Sequence, residues 1–352
     1  MADDFIAGLC ERVRDHARRK EPLRIRGGGT KDFYGEAPNG EPLEMSSYSG
    51  IVAYEPKELV LTVRAGTRLA EIEEALAAER QMLAFEPPHF GDGATIGGTV
   101  AAAMSGPRRP YSGSLRDFVL GTRIVNGKGE DLSFGGRVIK NVAGYDVSRL
   151  MAGAMGTLGV ITEVSFKVLP RPAAEATLAF EMEEDGALEA VNRWAGQPLP
   201  LSATSWHEGR LLVRLSGASS AIAAAKGKLG GEELASGDEH WRSLREHRLA
   251  FFTGARVLWR LSVPQTAEPL RAPHAQLVEW GGGLRWLGGQ LEAFDIRSSA
   301  ERLGGHATLF RGGDKAIGVF HPLPPALMKI HRRLKSAFDP DGILNPGRMY
   351  AF

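Results

Sequence analysis

The chain has 352 residues, 43% hydrophobic and 24% charged, with a formal net charge of +1 and a single cysteine. That length exceeds the size at which one hydrophobic core keeps growing, so two domains are expected. Near-zero charge with no block of Lys or Arg excludes a field for a polyanion, and a lone Cys10 excludes an internal disulfide or a cysteine metal centre.

No nucleic-acid partner is therefore expected, and the cysteine usage suits a reducing compartment, the cytoplasm by default. The N-terminal stretch lacks the apolar core of a signal peptide, and no run approaches the ~18 apolar residues of a membrane span. Any association with the inner membrane would have to come through partner subunits.

In chain order, residues 3 to 20 form an expected surface helix, with Phe5, Leu9, Val13 and His16 at helical spacing and a basic end that suits the helix dipole. Leu23 to Arg26 reads as a short strand entering the glycine run Gly27-Gly28-Gly29. Two further strands, Gly50 to Tyr54 and Leu59 to Arg64, precede a helix with Leu69, Ile72 and Leu76 on one face. Phe118 to Val125 and Glu130 to Phe134 flank Asn126-Gly127, a hairpin signal. Beyond Pro170-Arg171-Pro172, helices are expected near 186 to 195 and 219 to 229, strand-like stretches at 203 to 215 and 256 to 263, and a helix from Pro324 to Ala337. A turn-rich tail then runs from Asp339 to Gly347, where two prolines bar a helix.

The 44 glycines stand well above an average usage of ~7%, and they crowd the first 160 residues, where backbone has to turn or approach a ligand closely. Gly91 to Gly97 has the outline of a Rossmann fingerprint, but Glu86-Pro87-Pro88 stands where a buried parallel strand is required. Gly127-Lys128 is followed by Gly129 rather than Ser or Thr, so a P-loop also fails. Two candidate backbone nests remain: Arg26-Gly27-Gly28-Gly29-Thr30 after a strand, and Thr95-Ile96-Gly97-Gly98-Thr99 at a helix start. Each offers consecutive N–H groups to an anion, and each taken alone is equally an ordinary glycine turn.

These two loops, with Gly113-Ser114-Leu115-Arg116-Asp117, Lys140-Asn141-Val142-Ala143-Gly144-Tyr145-Asp146 and Gly156-Thr157-Leu158-Gly159-Val160-Ile161-Thr162, resemble in type and order the motifs of PCMH-type, vanillyl-alcohol-oxidase-like FAD-binding flavoproteins. The likeness runs on through Gly305 to Arg311 and the Asp339 to Gly347 tail. Within that family it is strongest to the flavoprotein subunits of bacterial glycolate oxidase complexes. The resemblance implies an α+β fold: a PCMH-type FAD-binding domain of two α/β subdomains over 1–170, a smaller α+β FAD-linked-oxidase domain over 171–330, and a tail over 331–352 packing back toward the first. It implies FAD at Arg26, Gly27, Gly28, Gly29 and Thr30, at Thr95, Ile96, Gly97, Gly98 and Thr99, at Arg116, at Asn141, Gly144 and Asp146, and at Gly156, Gly159 and Ile161. Asp146 is equally placed to cap the following helix, and Arg116 with Asp117 equally forms an internal ion pair. The first loop lacks the His, and the later loop the Cys, through which some members attach FAD, so noncovalent binding is expected.

Self-sufficient relatives carry a His-x-Gly-Asp-Gly-Asn-x-His motif that is absent here, and no His pair has metal-ligand spacing. His306, Arg311 and Lys315 are the candidate catalytic residues, to be weighed against a hydrogen-bonded strand histidine and two solvated cations. Trp259 and Arg260 either line a flavin cavity or belong to core strand. The resemblance thus implies an oxidoreductase subunit acting on a small 2-hydroxy acid, glycolate to glyoxylate. Its implied partners are a longer FAD-linked catalytic subunit and an iron-sulfur subunit that receives the electrons. A self-sufficient dehydrogenase and a non-catalytic assembly subunit remain as alternatives.

Overall fold

The computed structural model describes residues 2–136, 146–270 and 274–352. Helix Ala2–Arg19 sets Leu9, Val13 and His16 against the core as the spacing suggests, and adds Ile6 and Cys10 to that face. Phe5 instead stacks on Tyr48, ring centres 4.6 Å apart. Burying Ile6, Leu9 and Val13 stabilises the helix by about 1.5–3 kcal/mol each, as an upper estimate.

The helix docks beside a two-stranded parallel sheet, Leu23–Arg26 with Glu41–Glu44. Next comes a five-stranded antiparallel sheet in the spatial order Ile51–Glu55, Val60–Arg64, Val160–Lys167, Val119–Val125, Asp131–Gly135. Two of its central strands put Leu61, Val63, Val164 and Phe166 on one apolar face, while on the other Thr62 pairs with Ser165 through hydroxyls 2.9 Å apart. Helix Leu69–Ala78 covers the sheet with Leu69, Ile72 and Leu76, all fully buried. The hairpin at Asn126-Gly127 is present with a longer loop than the dipeptide suggests. The Asn126 side-chain oxygen accepts from the N–H groups of Lys128 and Glu130, and it is Gly129 that adopts the left-handed φ of +70°.

The second half is an eight-stranded antiparallel sheet. The single strand-like stretch at 203 to 215 is in fact two, Leu201–His207 and Arg210–Gly217, because Glu208 (φ +47°) and Gly209 (φ +76°) make a two-residue turn of the type that matches strand twist. Helices Glu184–Ala195 and Ser219–Leu229 pack against this sheet. Chain order and layers are those of an α+β protein, with mixed helices over two antiparallel sheets.

The two halves meet through buried ions. Glu86, on the loop after the first helix-covered sheet edge, accepts from Arg108 Nε at 3.2 Å and from Arg214 Nη2 at 2.9 Å, and Arg108 Nη2 reaches Glu175 at 2.5 Å. Glu246 accepts from the backbone N–H groups of His89 and Phe90. The tail after helix Pro325–Phe338 closes onto the first sheet: Leu344 pairs in parallel with Leu23, and Lys335 bonds Asp339 at 2.5 Å and the carbonyls of Thr157 and Leu344, each at 2.8 Å.

Candidate functional site

A cavity opens where the first glycine loop, the start of helix Ile96–Ala102 and the Met155 to Ile161 segment converge. The first loop is a nest. Strand Leu23–Arg26 ends at Arg26, and Gly29 turns at φ +72°. Among the described residues the N–H groups of Gly27, Gly28, Gly29, Thr30 and Lys31 meet no protein acceptor. Glycine is required here for packing as well. A Cβ on Gly28 would lie 1.5 Å from the Gly93 carbonyl, so the two loops are in backbone contact.

The second loop divides its labour. Gly97 donates to the Ala65 carbonyl at 2.8 Å and Ile96 to Thr67 at 2.9 Å, so their N–H groups serve the fold. Gly98 reaches only the capping Thr95 hydroxyl, at 3.4 Å, and faces the cavity. Ile96 and Thr99 are fully buried and do not line it. Of the five residues expected to hold the cofactor here, Thr95, Gly97 and Gly98 border the cavity, while Ile96 and Thr99 turn into the core.

The walls carry four cations, Arg24, Arg26, Lys31 and Arg348, against one carboxylate, Asp32. Arg26 is tied to Glu44 at 3.2 Å, whereas Arg24 has no ion pair among the described residues and its Nε meets no partner. Lys31 is 9% exposed and donates to the His89 carbonyl at 3.2 Å. Burial pushes its ammonium down to about 8, partly opposed by Glu246. Arg348 donates to the Asp32 and Glu36 carbonyls and so holds the loop after the glycines. Asn345 clamps the other wall, accepting from Ile25 N–H and donating to the Met155 carbonyl, both at 2.7 Å. Gly156 (φ +72°), Gly159 and Ile161 line that wall. Free N–H groups beside surplus positive charge fit a diphosphate.

Ala102 lines this cavity and also a second one, which lies between residues 102 to 107 and the large sheet. Aromatic rings dominate it: Tyr34, Phe90, Trp280, Trp286 and Phe310. Its polar groups include Arg260, His247 and Glu279. Trp259 and Arg260 alternate on strand Leu258–Ser262, so Trp259 is core at 1% exposure and Arg260 faces the cavity. Burial, with Arg311 and Arg260 nearby, pushes His247 down to about 3, so its imidazole is neutral. Burial pushes the Glu279 carboxyl up to about 7, against the opposing hydrogen bond from Trp286 (2.8 Å) and the charge of Arg260. Left-handed φ at non-glycine residues concentrates around the two cavities, at Met155, Asn345, Phe90, Ala103, His247 and Trp280. Such conformations cost on the order of 1–3 kcal/mol each and gather where function holds them.

The structure takes the three candidate catalytic residues elsewhere. His306 lies at the exposed start of strand His306–Arg311, Arg311 donates to the Phe252 carbonyl at 2.5 Å, and Lys315 donates to those of Phe33 and Gly35. None lines either cavity, because the strand directs them to its ends and to loop carbonyls. Arg116 is exposed on a four-residue helix away from both cavities, and Asp117 bonds Ser114 in a capping box rather than Arg116. Asp146 caps helix Val147–Met151, accepting from Arg149 N–H at 3.0 Å. Asn141 and Gly144 lie outside the described residues. Sequence reasoning passed over Arg24, Lys31, Arg348 and Glu279. Asn345 stood in a recognised turn, and the run Gly281-Gly282-Gly283 beside Trp280 was a signal left unread. Among the described residues no His/Cys/Asp/Glu cluster has metal-site geometry, and no helix is long and apolar enough to cross a membrane.

Known proteins share both halves. A family model described as "FAD binding domain" matches residues 6–135, and one for "FAD linked oxidases, C-terminal domain" matches 321–349. Glycolate oxidase subunit GlcE of Escherichia coli (strain K12) is 48% identical, over 99% of this chain and 98% of its own length. D-lactate dehydrogenase of Archaeoglobus fulgidus is 28% identical, over 93% of this chain and 86% of its own. Among solved structures, alkyldihydroxyacetonephosphate synthase superposes with a TM-score of 0.66 at 16% identity, over 96% of this chain and 74% of that one, a likeness of fold.

Proposed function

This chain belongs to the PCMH-type FAD-linked oxidase family that includes GlcE, and we propose that it is the FAD-binding subunit of a complex that oxidises glycolate to glyoxylate. FAD is its cofactor and oxidoreduction its class of chemistry. In the proposed complex a longer FAD-linked subunit and an iron-sulfur subunit are the partners, and electrons leave through the latter.

The observation that carries this reading is a pair of neighbouring cavities that share Ala102 as a lining residue. One is basic and lined by unaccepted N–H groups, the other aromatic, as the two ends of a flavin dinucleotide require. The N–H groups of Gly27 to Lys31 and of Gly98 would hold the diphosphate, with Arg24, Arg26 and Lys31 balancing its charge. Gly156, Gly159 and Ile161 leave room along the wall. Among the described residues neither His nor Cys lines the first cavity. When bound, FAD supplies the acceptor for a hydride. The protein orients it, excludes water with the rings of Phe90, Trp280, Trp286 and Phe310, and balances charge.

The test is direct. Purified protein should be yellow and release intact FAD on acid denaturation. A colourless chain that also fails to take up added FAD overturns the reading. Native purification should bring down the two partner subunits, and glycolate added without oxygen should bleach the flavin absorbance of that complex.

A further inference from the structure

We propose that the second cavity is a small-carboxylate site belonging to this chain, in which the Arg260 guanidinium holds the carboxylate of a 2-hydroxy acid and the Glu279 carboxylate takes the proton of its hydroxyl. This rests on the FAD reading above and adds a substrate site to it.

The geometry is unusual for a fold interior. Arg260 lines the cavity and makes no hydrogen bond or ion pair with another described residue; its guanidinium carbon lies 5.4 Å from the Trp280 ring centre. A second guanidinium, Arg109, lies 4.4 Å from that ring centre. Glu279 ends strand Gln276–Glu279, is 5% exposed and has no cation within ion-pair distance among the described residues. Only the Trp286 indole N–H reaches it, on one oxygen. A buried carboxylate and a buried-edge guanidinium left apart in one cavity are each costly. A bound hydroxy acid would give each a partner.

The groups facing Glu279 decide its protonation. Arg260 favours the carboxylate, Glu86 disfavours it, Trp286 donates to it, and burial outweighs all three, holding it at about 7. Its competitor for the proton, His247, is held at about 3 and is a poor base at neutral pH. Tyr34, also in the cavity, is pushed up by burial and stays protonated. The other lining cation, Arg245, is paired with Glu246 at 2.8 Å. In the step, the substrate O–H bond breaks and its proton passes to Glu279. Bound FAD would supply the two-electron acceptor for the C2 hydride, so that the C2–O bond becomes a carbonyl.

Oxalate, a two-carbon acid with no hydrogen to give up, is the probe. Titrated into the FAD-loaded full chain, it should change the fluorescence of Trp280 and Trp286 saturably. Arg260→Met should weaken it at least tenfold, and Arg260→Lys should recover part of that loss. Calorimetry near pH 7 in buffers of different ionisation enthalpy should show proton uptake, since the anion raises Glu279 further, and Glu279→Gln should abolish the uptake without weakening oxalate. Glycolate-driven bleaching in the complex should rise with pH through about 7 and fall at least a hundredfold in Glu279→Gln. A yellow, folded chain that gives no oxalate response, or whose proton uptake survives Glu279→Gln, overturns this inference and leaves the FAD reading intact. A colourless chain strikes the FAD reading instead, and the tryptophan titration still reports on the cavity.

Discussion

The N–H of Gly97 donates to the Ala65 carbonyl at 2.8 Å, and a Cβ on Gly97 would approach the Ala65 Cβ to 2.7 Å. Gly98, one residue on, would bring its Cβ no nearer than 3.4 Å to the Thr95 hydroxyl. The two glycines therefore part company. Gly97→Ala should lower the melting temperature even without cofactor. Gly98→Ala should fold as the wild type does yet bind FAD at least tenfold more weakly, because its methyl enters the cavity. Equal effects of both variants on the melting temperature of cofactor-free protein would remove this distinction.

Lys31 sets a pH limit on cofactor affinity. Burial holds its ammonium at about 8, and a neighbouring diphosphate favours the charged form, so binding draws in a proton above that pH. FAD affinity should decline as pH rises through 8 to 9. Lys31→Met should bind more weakly at pH 7 and show a flatter profile over that window, measured by flavin fluorescence quenching.

Glu86 joins the halves of the molecule through Arg108 and Arg214. Burial alone would raise its carboxyl, but Arg214 and Arg108 outweigh burial and hold it below its ordinary value of 4.5. The stabilisation is thus complete above pH 4.5 and is lost as pH falls through the lower folded value. Glu86→Gln leaves buried Arg214 without a carboxylate and Arg108 with Glu175 alone, and should cost about 3–5 kcal/mol at pH 7. Urea unfolding at pH 7 and below pH 4 should show the gap between variant and wild type shrinking on acidification.

Asn345→Ala removes an acceptor from the half-buried Ile25 N–H and a donor from the buried Met155 carbonyl. The expected loss is about 1–3 kcal/mol per orphaned group. The melting temperature should fall and FAD retention on gel filtration with it, whereas Asn345→Asp should recover only the half that needs an acceptor.

Much of this was legible from local rules. The first strand, the glycine nest and the helix start at Thr95 are visible because glycine, capping hydroxyls and strand periodicity act over a few residues. The hairpin of 203 to 215 was hidden because Glu208-Gly209 carries no Asn or Asp before its glycine, so an apolar run looked continuous. His306, Arg311 and Lys315 attracted attention as the chemistry-bearing side chains of a recognisable motif, yet Arg311 and Lys315 bond backbone carbonyls far off in sequence and the His306 ring lies beside His321. Arg24 and Glu279 escaped notice for the converse reason. An arginine in a four-residue strand and a glutamate before a tryptophan are unremarkable until tertiary packing leaves them without an ion-pair partner among the described residues.

The pairing of Leu23 with Leu344 also bears on how the protein is made. Ile25 and the glycine nest emerge early from the ribosome, but the carboxamide that fixes one wall of their cavity is some 320 residues behind. The first strand stays half-paired throughout elongation, and contacts of such span form slowly. Cofactor capture is therefore an event of the finished polypeptide, and a nascent chain stalled before residue 345 should expose an unsatisfied strand edge to chaperones and remain flavin-free.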